Sequence, residues 1–144
     1  MDSIRKLERA LEQGYLLHGS PHILSELEPR QAHDKAKAGG NEEGVYATSN
    51  LVIAVWKGVA RTTSETGFVG WSWNDNGQKR LYGEYLQLRD GYVYILPPDS
   101  FRPIPEDASD HVSPTEVTPI QTVRVTPTDL HTLQQEIDFV IDIR

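Results

Sequence analysis

The run Tyr92-Val93-Tyr94-Ile95-Leu96 is opened by Asp90-Gly91 and closed by Pro97-Pro98. It is too short for a helix, and two successive prolines remove the backbone donors that a ladder would need to continue. The segment therefore reads as a strand that stops at Pro97, and it commits the chain to a sheet.

The same punctuation organises the rest. Asp2 or Ser3 can cap a helix whose apolar positions Ile4, Leu7 and Leu11 recur at three and four, with Gly14 placed to end it. Tyr15-Leu16-Leu17, bounded by Gly14 and Gly19, predicts a short buried strand ending in His18-Gly19-Ser20-Pro21. A polar stretch from Glu28 to Glu43 is expected as a long loop, a feature often functional in a compact domain. Gly44 to Thr48 reads as a second strand, after which Ser49 or Asn50 caps a helix carrying Leu51, Ala54, Val55, Trp56 and Val59. Phe68–Trp73 and Leu81–Leu88, joined by Asn74-Asp75-Asn76-Gly77, predict a hairpin. Phe101 to Pro114, rich in Pro, Asp and Ser, is expected as loop, and Thr118 to Val125 as a last long strand. Thr128 or Asp129 can start a terminal helix through Leu130, Leu133 and Ile137, while Phe139 to Ile143 could equally finish as a strand. The expected class is α+β, one domain over residues 1–144 with a mostly antiparallel sheet and few helices.

Composition narrows the chemistry. A chain of 144 residues buries enough surface to fold without disulfides or metal, and it has no cysteine, which excludes a disulfide scaffold, a thiolate metal site and a thiol nucleophile. With 14 Lys and Arg against 21 Asp and Glu, the net charge of −7 disfavours nucleic acid as a partner. No apolar run approaches the roughly 20 residues of a membrane span, and charges occupy Met1 to Glu12 where a signal peptide would be apolar. A soluble, cytoplasmic protein with no membrane partner is expected.

His18 closes a buried strand beside Gly19, whose bare Cα lets a ligand approach the backbone, and Ser20, whose hydroxyl can donate or accept. The same three residues also suit a plain turn. Tyr46, between small neighbours, can stack on a planar ligand or simply pack in the core. Trp56 shares a helix face with Val52 and Val59 and belongs to the core, while Trp71 and Trp73 alternate onto one strand face. Glu106, Asp107 and Glu116 are the acids placed to enter a cleft. His22, His33, His111 and His131 lack metal spacing and are expected in solvent, so no metal site is expected. Serine-elbow, phosphate-loop and dinucleotide-fold motifs are absent from the sequence.

In order, the strand ending His18-Gly19-Ser20, the long loop, Val45-Tyr46-Ala47-Thr48, the helix with Ala54-Val55-Trp56 and the strand Gly91 to Leu96 resemble the ADP-ribosyltransferase superfamily. The pattern is most like the small rifamycin-inactivating ADP-ribosyltransferases. That resemblance implies a split antiparallel sheet and NAD as co-substrate. His18 would bond the adenosine-side ribose, the Gly19 backbone the nicotinamide amide, with Ser20 adjoining, and Tyr46 would stack on the nicotinamide ring. It further implies one catalytic acid, matching Glu106 or Asp107 in the small enzymes and Glu116 in the wider superfamily. The implied activity is mono-ADP-ribosyl transfer to a small-molecule or protein acceptor. Alternatives on the same fold are a non-catalytic NAD-binding or interaction module, and an RNA 2'-phosphotransferase or nucleic-acid ADP-ribosyltransferase.

Overall fold

The computed structural model describes residues 2–31, 43–73, 75–105 and 107–143, leaving the side chains of residues 30, 31, 107 and 108 outside the description. Helix α1 (Ser3–Glu12) begins where the Asp2 carboxylate accepts from the Arg5 N–H at 2.8 Å, and its apolar stripe buries Ile4, Leu7 and Ala10. Strand β1 (Leu16–Ser20) follows, then a two-residue β2 (Arg30–Gln31) and β3 (Glu43–Thr48). Helix α2 (Leu51–Val59) is capped by Asn50, whose side chain accepts from the Ile53 N–H at 3.1 Å. It is apolar all round and buried from Val52 through Val59 except at Lys57, as a helix enclosed by other elements must be.

Strands β4 (Ala60–Thr62), β5 (Phe68–Trp73), β6 (Lys79–Glu84), β7 (Leu86–Leu88) and β8 (Gly91–Leu96) come next. Then follow β9 (Arg102–Ile104), β10 (Asp107–Ser113), β11 (Gln121–Val125), α3 (Pro127–Glu136) and β12 (Phe139–Ile143). The central sheet runs β11-β8-β1-β3-β10-β9, all antiparallel, with β2 also on β3. A second sheet runs β12-β6-β5, its β12–β6 pair parallel, and β4 pairs with β7. The class is α+β with mostly antiparallel sheets and three helices among the described residues.

The central sheet has a core on each side. On one, α1, α2 and α3 cover Leu17, Val93, Ile95, Val123 and Val125, with Trp56 fully buried. On the other, Leu16, Val45, Ala47, Tyr94 and Leu96 pack with Leu27 and Val117. Full burial of one such aliphatic side chain contributes about 1.5–3 kcal/mol, so both layers stabilise the position of β1 and β3.

Four expectations need correction. Phe101 to Pro114 is not a loop: β9 and β10 form there, because main-chain pairing with β3 supplies what the side chains do not advertise. The second arm of the hairpin starts at Lys79 and breaks at Tyr85, whose φ of +55° is costly for a bulky residue, and β7 then pairs with β4 instead. The last helix starts earlier than expected, since Thr126 and Asp129 form a capping box around Pro127. Arg30–Gln31, inside the expected long loop, pairs with Gly44 and Glu43, while residues 32–42 of that loop lie outside the described residues. Phe139 to Ile143 finishes as a strand.

Candidate functional site

Strand β1 is central, with five register pairs to β8 but a single one to β3, Leu17 opposite Thr48. Beyond that pair the two strands part. His18 fills the opening: its Nδ1 lies 2.6 Å from the Tyr46 carbonyl oxygen. A carbonyl can only accept, so Nδ1 carries the proton and, in the neutral ring, Nε2 carries the lone pair. The imidazole also lies beside the Tyr94 ring, centroids 6.4 Å apart, with Tyr94 directly opposite on β8.

Gly19 is required here by a close approach. A Cβ on it would stand 2.8 Å from Gly58 N and 3.0 Å from Lys57 Cβ, so what its missing side chain admits is the backbone of α2. Ser20 is buried, and its Oγ accepts from the His22 N–H at 3.1 Å, tightening the turn after β1.

Strand alternation separates the two rings. Leu16 packs with Val45, Ala47 and Tyr94, whereas Leu17 packs under α2, so His18 leaves β1 on the side away from α2. Tyr46, between Val45 and Ala47, leaves β3 on the α2 side. The imidazole and the phenol ring thus project to opposite faces, which corrects the expectation that both rings and an acid enclose one pocket around a dinucleotide, although both residues line the same two cavities. The larger, about 800 Å³, is walled by His18, Ser20 and Gly44 to Tyr46 on one side and His22 to Glu28 on the other. The smaller, about 40 Å³, is bounded by His18, Gly19, Tyr46, Thr48, Lys57 and Asp110. That is room for about three waters.

Among the described residues, the acid that lines the smaller cavity is Asp110, which the sequence analysis missed. It sits on β10 opposite Thr48, is only 4% exposed, and lines the smaller cavity. No local signal marks it: its place follows from the register of β10 opposite Thr48 on β3. Of the three acids expected, Glu106 lies outside the described residues. Asp107 starts β10 opposite Ile104, with its side chain outside the described residues. Glu116 is exposed beside Val117 and lines neither cavity.

Of the other histidines, His22 is exposed on the rim of the larger cleft, His111 is half-buried on β10, His131 is exposed on α3, and His33 lies outside the described residues. Trp56 lies in the core, its Nε1–H donating to the Gly70 carbonyl at 2.9 Å. Trp71 is partly buried against that core and Trp73 is 59% exposed, with the Lys79 ammonium 3.6 Å from the Trp73 ring centroid. Among the described residues, no group of three or more His, Asp or Glu is placed to hold a metal ion, and no helix is long and apolar enough to cross a membrane. No family model, no curated protein and no solved structure matches this chain.

Proposed function

We propose that the protein is an NAD-dependent mono-ADP-ribosyltransferase, working in the cytoplasm on a small-molecule or protein acceptor. What carries this is the cavity in which His18, Gly19, Tyr46 and a buried carboxylate, Asp110, meet at the split between β1 and β3. The adenosine-side ribose would sit against His18 in the larger cleft, which His18 and Tyr46 both line.

Breaking the bond from ribose C1' to the pyridinium nitrogen sends the electron pair to nicotinamide, which leaves neutral, and places positive charge on the ribose. Asp110, 4% exposed and fixed on β10, supplies the opposing charge without reorganising. An acceptor nucleophile then bonds to C1' and gives up its proton to a carboxylate or to water.

One observation favours a second possibility. The smaller cavity, about 40 Å³, has room for only a few waters, as suits a non-catalytic module that holds only the nucleotide portion in the larger cleft. Calorimetric titration with NAD, ADP-ribose and nicotinamide distinguishes them. The transferase binds NAD and releases nicotinamide on incubation; the silent module binds NAD and ADP-ribose alike and releases none. Binding of neither NAD nor ADP-ribose at millimolar concentration removes both. A nucleic-acid substrate is disfavoured by Glu26 and Glu28 on the cleft wall and by the net charge of −7.

A further inference from the structure

The larger cleft has one wall that belongs to no helix or strand; its far end is held by the Leu27–Val117 bridge and by packing of Leu24 and Leu27 on the sheet. The segment from Pro21 to Glu26 follows β1 without joining the sheet, and His22 and Ile23 are exposed, Ile23 at 75%. Yet its backbone is tied at two points to one atom. The Leu24 N–H donates to the Tyr94 hydroxyl at 2.6 Å, and that hydroxyl donates to the His22 carbonyl, also at 2.6 Å. Tyr94 is wholly buried, in the middle of β8, directly across from His18 in the ladder. One side chain therefore backs the imidazole on one strand with its ring and grips the facing wall with its oxygen. Phe at this position would keep the ring and its packing and lose only the grip, leaving a part-buried N–H and C=O without their protein partner.

We infer that Tyr94 is a positioning residue for ligand binding: it sets the width of the larger cleft by holding the His22–Leu24 backbone at a fixed distance from His18. It touches neither the reacting bond nor Asp110, so its effect falls on affinity and not on the chemical step. This rests on the proposed NAD occupancy of the cleft, and its test separates the two.

The experiment compares wild type, Tyr94→Phe and, as a control on the second sheet, Tyr82→Phe. The expected result for Tyr94→Phe is a native far-ultraviolet spectrum, amide exchange at Leu24 faster by tenfold or more, NAD affinity weaker by about tenfold, and nicotinamide release at saturating NAD within twofold of wild type. Tyr82→Phe changes none of these. The inference is overturned if Leu24 exchange and NAD affinity both stay at wild-type values, or if turnover falls while affinity is kept. Should Tyr94→Phe fail to fold, wild-type exchange decides: Leu24 must be protected like Val93 and Ile95 in β8, and exchange as fast as at exposed Ile23 overturns the grip. A wild type that binds no NAD overturns the proposed ligand, and Leu24 exchange in Tyr94→Phe then judges the grip by itself.

Discussion

The Nδ1–H of His18 donates to the main-chain carbonyl of Tyr46 across 2.6 Å, joining β1 to β3 where their own ladder has stopped. A side chain stands in for a main-chain bond there. The bond also fixes Nδ1 as a protonated ring nitrogen.

Removing that bond should loosen the split and the ligand together. His18→Ala is expected to lower stability by about 1–3 kcal/mol, since the Tyr46 carbonyl loses its donor in a partly buried setting. It is also expected to weaken NAD binding at least tenfold. Urea unfolding and calorimetry check the two effects; unchanged NAD affinity in a folded variant would remove His18 from the binding site.

Gly19→Ala tests the closeness of α2 to β1. The added methyl would meet main-chain atoms of α2, with Gly58 N at 2.8 Å, and backbone cannot rotate away as a side chain can. Overpacking of this kind costs about 1–3 kcal/mol. A fall in the urea midpoint with an unchanged slope is the expected outcome, and a variant as stable as wild type would show that α2 sits farther from β1.

Alkaline stability should report the burial of Tyr94. Its phenol is pushed above the ordinary 10.0, mainly by burial and slightly by Tyr92, against an opposing effect of the Leu24 N–H bond. Between 10.0 and the raised folded value the unfolded chain has already lost this proton while the native chain keeps it, so the unfolded state binds fewer protons and stability falls as pH rises. The contribution is fully present below that range. Unfolding free energy measured from pH 9 to 11.5 should fall more steeply for wild type than for Tyr94→Phe; parallel curves would contradict it.

The apolar, well-punctuated parts of the chain were legible in its sequence. Tyr92 to Leu96 between Asp90-Gly91 and Pro97, and α2 behind Asn50, each combine burial with a local stop or cap, and local chemistry decides them. The parts decided by distant partners were not. β10 is a strand because β3 offers it an edge, and nothing in Asp-Ala-Ser-Asp announces this. The same oversight hid Asp110, whose position follows from register opposite Thr48. Nor could spacing show that His18 and Tyr46 leave opposite faces, because that depends on how β1 and β3 align across the split.

Nicotinamide release, followed in purified wild type and in Asp110→Asn, tests the central claim most directly. The amide keeps the shape of the side chain and removes its charge, and loss of one preorganised group of this kind costs about 10²–10³ in rate. Wild type should release nicotinamide from NAD, and Asp110→Asn should bind NAD within threefold of wild type while losing at least a hundredfold in release. Release at the wild-type rate by Asp110→Asn, or none from a wild type that binds NAD, would contradict the account.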